Sequence, residues 1–435
     1  MKNRSIPAVA LALCCGAILT AQAVDDTQLK QVIVFGRHSV RSPVASTSYL
    51  NTLSAQPYPD FDVSAPGILT ENGKKLETLL GAYYRLRLTQ EGLLTGNDAA
   101  DANFVYFRAN TIERTIDTAK ALAAGLLPAA SVNVNYYGPT ESDPLFDPVG
   151  AGVSRLDLEK ALAAVQGRVG GNGESLSAAY AAELALVRAT LFGYPPGQSP
   201  APPAPAGKVD VTAIPVEMTI GTPGTPVNPG GLLQVLYAID PFLMEYADGL
   251  PVGWGQLTAA GVSQTLRVYN LVLDLVDRTP YVATVTSSNV ASHVVRSMVQ
   301  AATGNAVTGA LGTPSTKLIV MIASDTNISA FASLYHLDWL LPGYQSDTCS
   351  PGGAIVFELR QSQRTGEYII RASYVGQTLD QLRNLTTLTL AAPPASAPLF
   401  IAGCSERNAT FDCRLADFVR ISTQVIDPHS ADLVN

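Results

Sequence analysis

This sequence of 435 residues predicts an α/β fold: an open, doubly wound, mainly parallel sheet with helices on both faces and an inserted α-helical cap. Two observations predict it. A short apolar run, then a polar turn, then a helical pattern occurs three times, with the runs at residues 32–35, 104–107 and 318–322. Between the second and third runs the chain changes character, giving alanine- and leucine-rich helical patterns broken by a proline- and glycine-rich stretch over residues 194–231. The third strand has to return to the first sheet, which favours an insertion over a linker between independent domains. The expected organisation is a leader at 1–23, a first α/β segment at 24–149, a cap at 150–257 and a second α/β segment at 258–435.

The leader is expected to be a cleaved signal peptide. Lys2 and Arg4 precede an apolar run over 6–20, and Ala21-Gln22-Ala23 has the small-x-small form of a cleavage site. A periplasmic or secreted protein is therefore expected, with no membrane span, since no later run of 18 or more apolar residues occurs. With 47% hydrophobic and 15% charged residues the chain can bury a large core, and its net charge of −8 speaks against nucleic acid as a partner. Any anion site must be local. Cys404 and Cys413 enclose a short polar loop, and in an exported chain they are expected to form a disulfide, leaving Cys349 as a buried thiol. Nothing in the sequence fixes an oligomeric state.

The elements follow in order. The first apolar run ends at Gly36. Thr70 is placed as the N-cap of a helix whose core face is Leu76, Leu79, Leu80, Tyr83 and Leu86. The second run leads through residues 108–115 into a helix that ends near Gly125 and Pro128. The third leads through Ala323-Ser324-Asp325-Thr326-Asn327 into a helical pattern reaching Leu340. Residues 354–359 and 368–375 alternate like strands about Arg364-Thr365-Gly366-Glu367, a hairpin. The stretch 194–231 carries too many prolines for regular structure and is expected to be a long surface loop.

The chemistry centres on Arg37-His38-Ser39-Val40-Arg41-Ser42-Pro43, directly after the first strand. Two guanidinium forks beside one imidazole suit a phosphate, because arginine donates bidentately and keeps its charge, and an imidazole held against a phosphoryl group can act as nucleophile. Ligands of open α/β sheets bind outside the carboxyl ends of parallel strands. If the three strands are neighbours, Arg37, His38, Arg41, Arg114 and Asp325 converge there. No His-Glu-x-x-His and no cysteine pair at zinc spacing occurs, so neither metal nor cofactor is expected. His336 is expected to be packed or capping, and His293 and His429 solvated.

The segment 37–43 resembles the signature of the histidine acid phosphatase family (histidine phosphatase superfamily, branch 2). Residues 108–115, 143–148, 253–255, 351–353 and 404–413 resemble, in order, segments of bacterial periplasmic phytases and glucose-1-phosphatases. The resemblance implies hydrolysis of a small phosphomonoester, a sugar or inositol phosphate, with His38 as nucleophile and Asp325 as proton donor. Arg37, Arg41, Arg114, Ser324 and Thr326 would bind the phosphate, and Val44 and Asp240 would belong to the substrate pocket. Asp240 followed by Pro241 is equally well explained as a helix N-cap with proline at N1.

Two positions depart from the family pattern. Ser39 stands where glycine is usual, and Ser324 stands where the family normally has a histidine before Asp325. Losing one transition-state donor costs about 3 kcal/mol, roughly a hundredfold in rate. A weakly active or non-catalytic phosphate-binding relative is thus the alternative reading. Val44-Ala45 after the signature looks more like the glucose-1-phosphatases than the Thr-Lys of many phytase-like members.

Overall fold

The protein, as a computed structural model, is described over residues 25–432 apart from 196 and 199. The expected leader, residues 1–23, lies outside the described residues. The described strands are β1 (Thr27–Arg37), β2 (Val105–Ala109), β3 (Val134–Asn135), β4 (Thr219–Thr222), β5 (Thr225–Asn228), β6 (Leu318–Ala323), β7 (Ala354–Ser362), β8 (Tyr368–Gly376), β9 (Ala395–Pro398) and β10 (Cys413–Arg414). Eight of them form one sheet in the order β10-β8-β7-β1-β6-β2-β3, with β9 also pairing β8.

The three apolar runs are neighbours. β1 and β2 flank β6, both parallel to it, with Arg37 opposite Ala323 and Ala109 opposite Ile322. All three strands therefore end at one edge. On its other side β1 pairs antiparallel with β7, and β7 with β8, through the hairpin expected there. The sheet is thus mixed, parallel where the charged turns lie and antiparallel beyond β1, because a short hairpin can join strands only antiparallel.

Helices cover both faces, and the strands alternate between them. Val32 and Val34 of β1 pack with Val320 of β6 against Leu80, Tyr84 and Leu122, from the helices Glu71–Gln90 and Glu113–Leu126. Ile33 and Phe35 point the other way, into a larger core with Phe331, Phe357 and Phe418. That core continues without a break into Val187, Leu191, Val235 and Phe242, from the helices Ala181–Phe192 and Gly231–Ala247. The segment expected to be a cap shares its apolar interior with the sheet. No helix among the described residues is long and apolar enough to cross a membrane.

Several expectations are corrected. Leu86 is 45% exposed, so the core face of the Glu71–Gln90 helix is carried by Leu76, Leu80, Tyr83, Tyr84 and Leu88. The helix after β6 spans Asp325–Leu334 and stops short of Leu340. Beyond it Leu337, Trp339 and Leu341 are buried while Asp338 and Leu340 are exposed, a period of two. His336 is exposed at φ 53°, in the position that ends a helix, and its N–H donates to the Ser333 carbonyl. The proline-rich stretch contains an antiparallel hairpin, β4–β5, turning at Pro223-Gly224. An isolated two-stranded ribbon has free edges, where Pro226 lacks no ladder partner. His293 is fully buried, its Nδ1 hydrogen-bonded to the Gly309 carbonyl; His429 is exposed.

Candidate active site

The signature loop is held on every side by backbone. His38 N–H donates to the Ala323 carbonyl of β6 (2.9 Å), Arg37 N–H to Gly353 (2.9 Å), and Gly352 N–H to the His38 carbonyl (3.2 Å). Thr70 N–H donates to Val40 (3.0 Å), and a Cβ at Gly73 would sit 2.2 Å from that same carbonyl, so only glycine lets the Glu71–Gln90 helix approach the loop. The Pro351-Gly352-Gly353 segment thus clamps the backbone that presents His38.

The imidazole has a defined tautomer. His38 Nδ1 lies 2.8 Å from the Ser39 carbonyl, which can only accept, so Nδ1 carries the hydrogen and Nε2 keeps its lone pair. Burial, then Arg37, Arg41 and Arg114, hold the ring's pKa well below its ordinary value. The ring is neutral, buried and surrounded by cations.

Each arginine is placed differently. Arg37 is 1% exposed, paired with Asp325 (2.9 Å) and donating to the Cys349 carbonyl (2.5 Å). Arg41 makes a fork-on-fork pair with Asp240, both N···O distances 2.8 Å. Asp240 lies inside the Gly231–Ala247 helix, with Pro241 also interior, so the N-cap explanation is excluded. Arg114, from the helix following β2, has no carboxylate partner among the described residues, and burial, then Arg41, lowers its pKa to about 10. It remains a cation at any ordinary pH.

Asp325 opens the helix after β6. Its Oδ2 accepts the Tyr269 hydroxyl (2.5 Å), and its Oδ1 accepts Thr326 N–H (3.0 Å). Burial pushes the carboxyl up, but Arg37, Tyr269 and Arg41 outweigh it and hold it below its usual range. Ser324 precedes it, its N–H donating to Asn327 Oδ1 (3.2 Å).

These groups open onto one cavity of about 310 Å³. His38, Arg41, Val44, Arg114, Asp240, Ser324, Asp325 and Thr326 line it, while Arg37 stands behind them. The remaining wall is largely apolar, with Leu233, Leu236, Val272 and Val276. Away from the cavity, Cys404 and Cys413 form a disulfide, and Cys349 is a buried free thiol.

Sequence reasoning missed Tyr269 and Asp277. Both lie on the stretch that continues through Val272 and Val276, and the sequence shows only that Tyr269, Val272 and Val276 share a helical stripe, which does not say what that stripe packs against. The motif at residues 143–148 acts as a brace. Asp143 is fully buried and pairs with Arg108 (2.8 Å), and the Phe146 carbonyl accepts Asn327 Nδ2–H (2.8 Å).

The model of the histidine phosphatase superfamily (branch 2) matches residues 28–174. Phytase AppA of Escherichia coli is 31% identical, over 94% of each chain. A glucose-1-phosphatase of Providencia rettgeri is 27% identical, over 96% of this chain and 99% of that one. The solved structure of Hafnia alvei phytase in complex with tartrate superposes with a TM-score of 0.83 at 31% identity, covering 94% of this chain and 100% of that one. The chain therefore belongs to branch 2 of the histidine phosphatase superfamily and is a phosphoric monoester hydrolase.

Proposed function

We propose that this protein is an exported acid phosphatase that cleaves small phosphomonoesters through a phosphohistidine on His38. The observation that carries the reading is the pairing, among the described residues, of a neutral imidazole with no hydrogen bond to Nε2 and a guanidinium, Arg114, with no carboxylate partner. A buried cation short of a counter-ion is stabilised by an arriving anion, and phosphate supplies it.

In the first step the Nε2 lone pair forms the N–P bond while the P–O ester bond breaks. Arg37, Arg41 and Arg114 offset charge on the phosphoryl oxygens. Asp325 gives a proton to the departing alkoxide. The carboxyl is ionised in the resting site, and the substrate's own charge changes that: an anion among the arginines cancels the field that keeps Asp325 deprotonated. In the second step water attacks phosphorus, Asp325 takes the water's proton, and the N–P bond breaks to restore Nε2. The Ser39 carbonyl holds the Nδ1 proton throughout. Ser324 and Thr326 contribute uncharged contacts to the phosphate.

The leaving group is read from the rest of the wall. Among the described residues no lysine lines the cavity, its arginines are Arg41 and Arg114 beside His38, and Val44, Leu233 and Leu236 line it while remaining partly exposed. This favours an ester with one phosphate and a compact body, such as a sugar phosphate, over an inositol polyphosphate. We read 1–23 as the export leader, and 150–257 as a cap over the α/β unit formed by 24–149 and 258–435.

A hydrolysis panel of glucose 1-phosphate, phytate and an aryl phosphate, with His38→Ala as control and trapping of base-stable, acid-labile phosphate on the wild type, tests the reading. Turnover with a trapped adduct is expected. Equal phosphate release by wild type and His38→Ala ends it, and phosphate binding with neither turnover nor adduct supports the phosphate-binding alternative that Ser324 raises.

A further inference from the structure

Asp277, half-buried, ends the helix Ala259–Val276 as its C-cap, and its carboxyl accepts its own backbone N–H. It lines the phosphate cavity and also a second cavity of about 320 Å³ beside it. The two cavities share Gly224, Asp277, Ser324 and Thr326. Around Ser324, then, lies open space that a longer side chain would fill, and Asp277 borders it.

We propose that Asp277 contacts the bound phosphate, donating from its carboxyl O–H to a phosphoryl oxygen on the side where Ser324 is too short to reach. Asp277 and Ser324 together then supply part of what one histidine at 324 would supply. The inference rests on the cavity being the phosphate site.

The protonation this requires fits its surroundings. Burial, then the neighbouring Asp325, pushes the Asp277 carboxyl well above its usual range. Two cations, Arg41 and Arg114, share its cavity beside the neutral His38, and Arg41 is already tied to Asp240. Towards the second cavity the charged groups are acidic: Glu141, Asp147 and Asp143, the last paired with Arg108. A phosphate dianion adds negative charge next to the carboxyl and so holds its proton on. An ionised carboxylate there would repel the ligand.

Calorimetric titration of the full chain with inorganic phosphate at pH 5 tests the role without turnover. The variants are Asp277→Ala, Asp277→Asn, and Asp277→Ala combined with Ser324→His, each first compared with wild type by thermal unfolding. Loss of a hydrogen bond to a charged acceptor should raise Kd about tenfold in Asp277→Ala. Asp277→Asn, which keeps an N–H donor, should stay within about twofold of wild type. Histidine at 324 should restore most of the affinity lost in Asp277→Ala. Both single variants binding as well as wild type or better, or no rescue by the histidine, overturns the assignment. Wild type that binds no phosphate would instead sink the phosphate-site reading, so the two failures are distinguishable.

Discussion

The floor and the outer wall of the cavity are built from opposite materials. On the floor most groups are held from several sides: His38 by the Ser39 carbonyl and by backbone bonds to two neighbouring segments, Arg41 by a two-pronged carboxylate, Arg37 by Asp325 and the Cys349 carbonyl. The wall of Val44, Leu233 and Leu236 makes no polar commitment and stays partly exposed. A floor fixed by charge admits one kind of group, a phosphoryl. A wall of apolar side chains sets what may be attached to it, and that is where members of one family can diverge without losing the reaction.

Breaking the floor should have the largest effects. His38→Ala should lower kcat by about four orders of magnitude or more and abolish the trapped adduct, measured on an aryl phosphate. Arg114→Ala should lower kcat/KM by about a hundredfold to a thousandfold, since it removes a floor cation that has no carboxylate partner among the described residues. Ser324→His should raise turnover on simple monoesters, by about tenfold at most, because it adds a donor where the floor is thinnest. An unchanged or lower rate would show a pocket rebuilt around serine.

Changing the wall should act on selectivity more than on rate. Leu236→Lys should lower KM for an inositol polyphosphate severalfold while leaving the monoester kcat within about twofold, read from paired kinetics on the two substrates. The smallest effect concerns what lies under the floor. Glu77 is buried beneath the signature loop, and burial pushes its carboxyl up to about 8. Its unfolded value is near 4.5, so the stability of the neutral form is fully present below that pH and is lost as pH rises from about 4.5 to about 8. Glu77→Gln should therefore raise Tm by a few degrees at pH 8 and change little at pH 4, followed by thermal unfolding at the two pH values.

Much of this was legible because the floor is encoded in contiguous pieces. Residues 37–43 follow a strand that a short apolar run and β-branched content mark plainly, and Ser324 and Asp325 follow another. Parallel pairing then carries both to the same edge. Apart from Val44, the wall was not legible, for the converse reason. Asp277 reaches the cavity only because the Ala259–Val276 helix packs across the strand ends, and no local pattern states a packing angle. Asp240 was read as either a pocket residue or a cap, since a proline after an acidic residue looks like a helix start. What decides it is that Asp240 lies inside the Gly231–Ala247 helix and pairs with Arg41, 199 positions away in sequence. The segment after Leu334 misled through its period: its apolar residues suit a helix by composition but alternate in burial like an extended chain.

The order of strands in the sheet bears on how the chain must be made. β1 leaves the ribosome first, yet both of its partners, β6 and β7, lie beyond residue 317. Until they emerge, the strand that will present His38 has unpaired N–H and C=O groups along both edges and apolar side chains on both faces. Such late, long-range pairing makes for slow folding and a vulnerable nascent chain, so expression of this protein should depend on holdase chaperones more than that of a protein of equal size built from local hairpins.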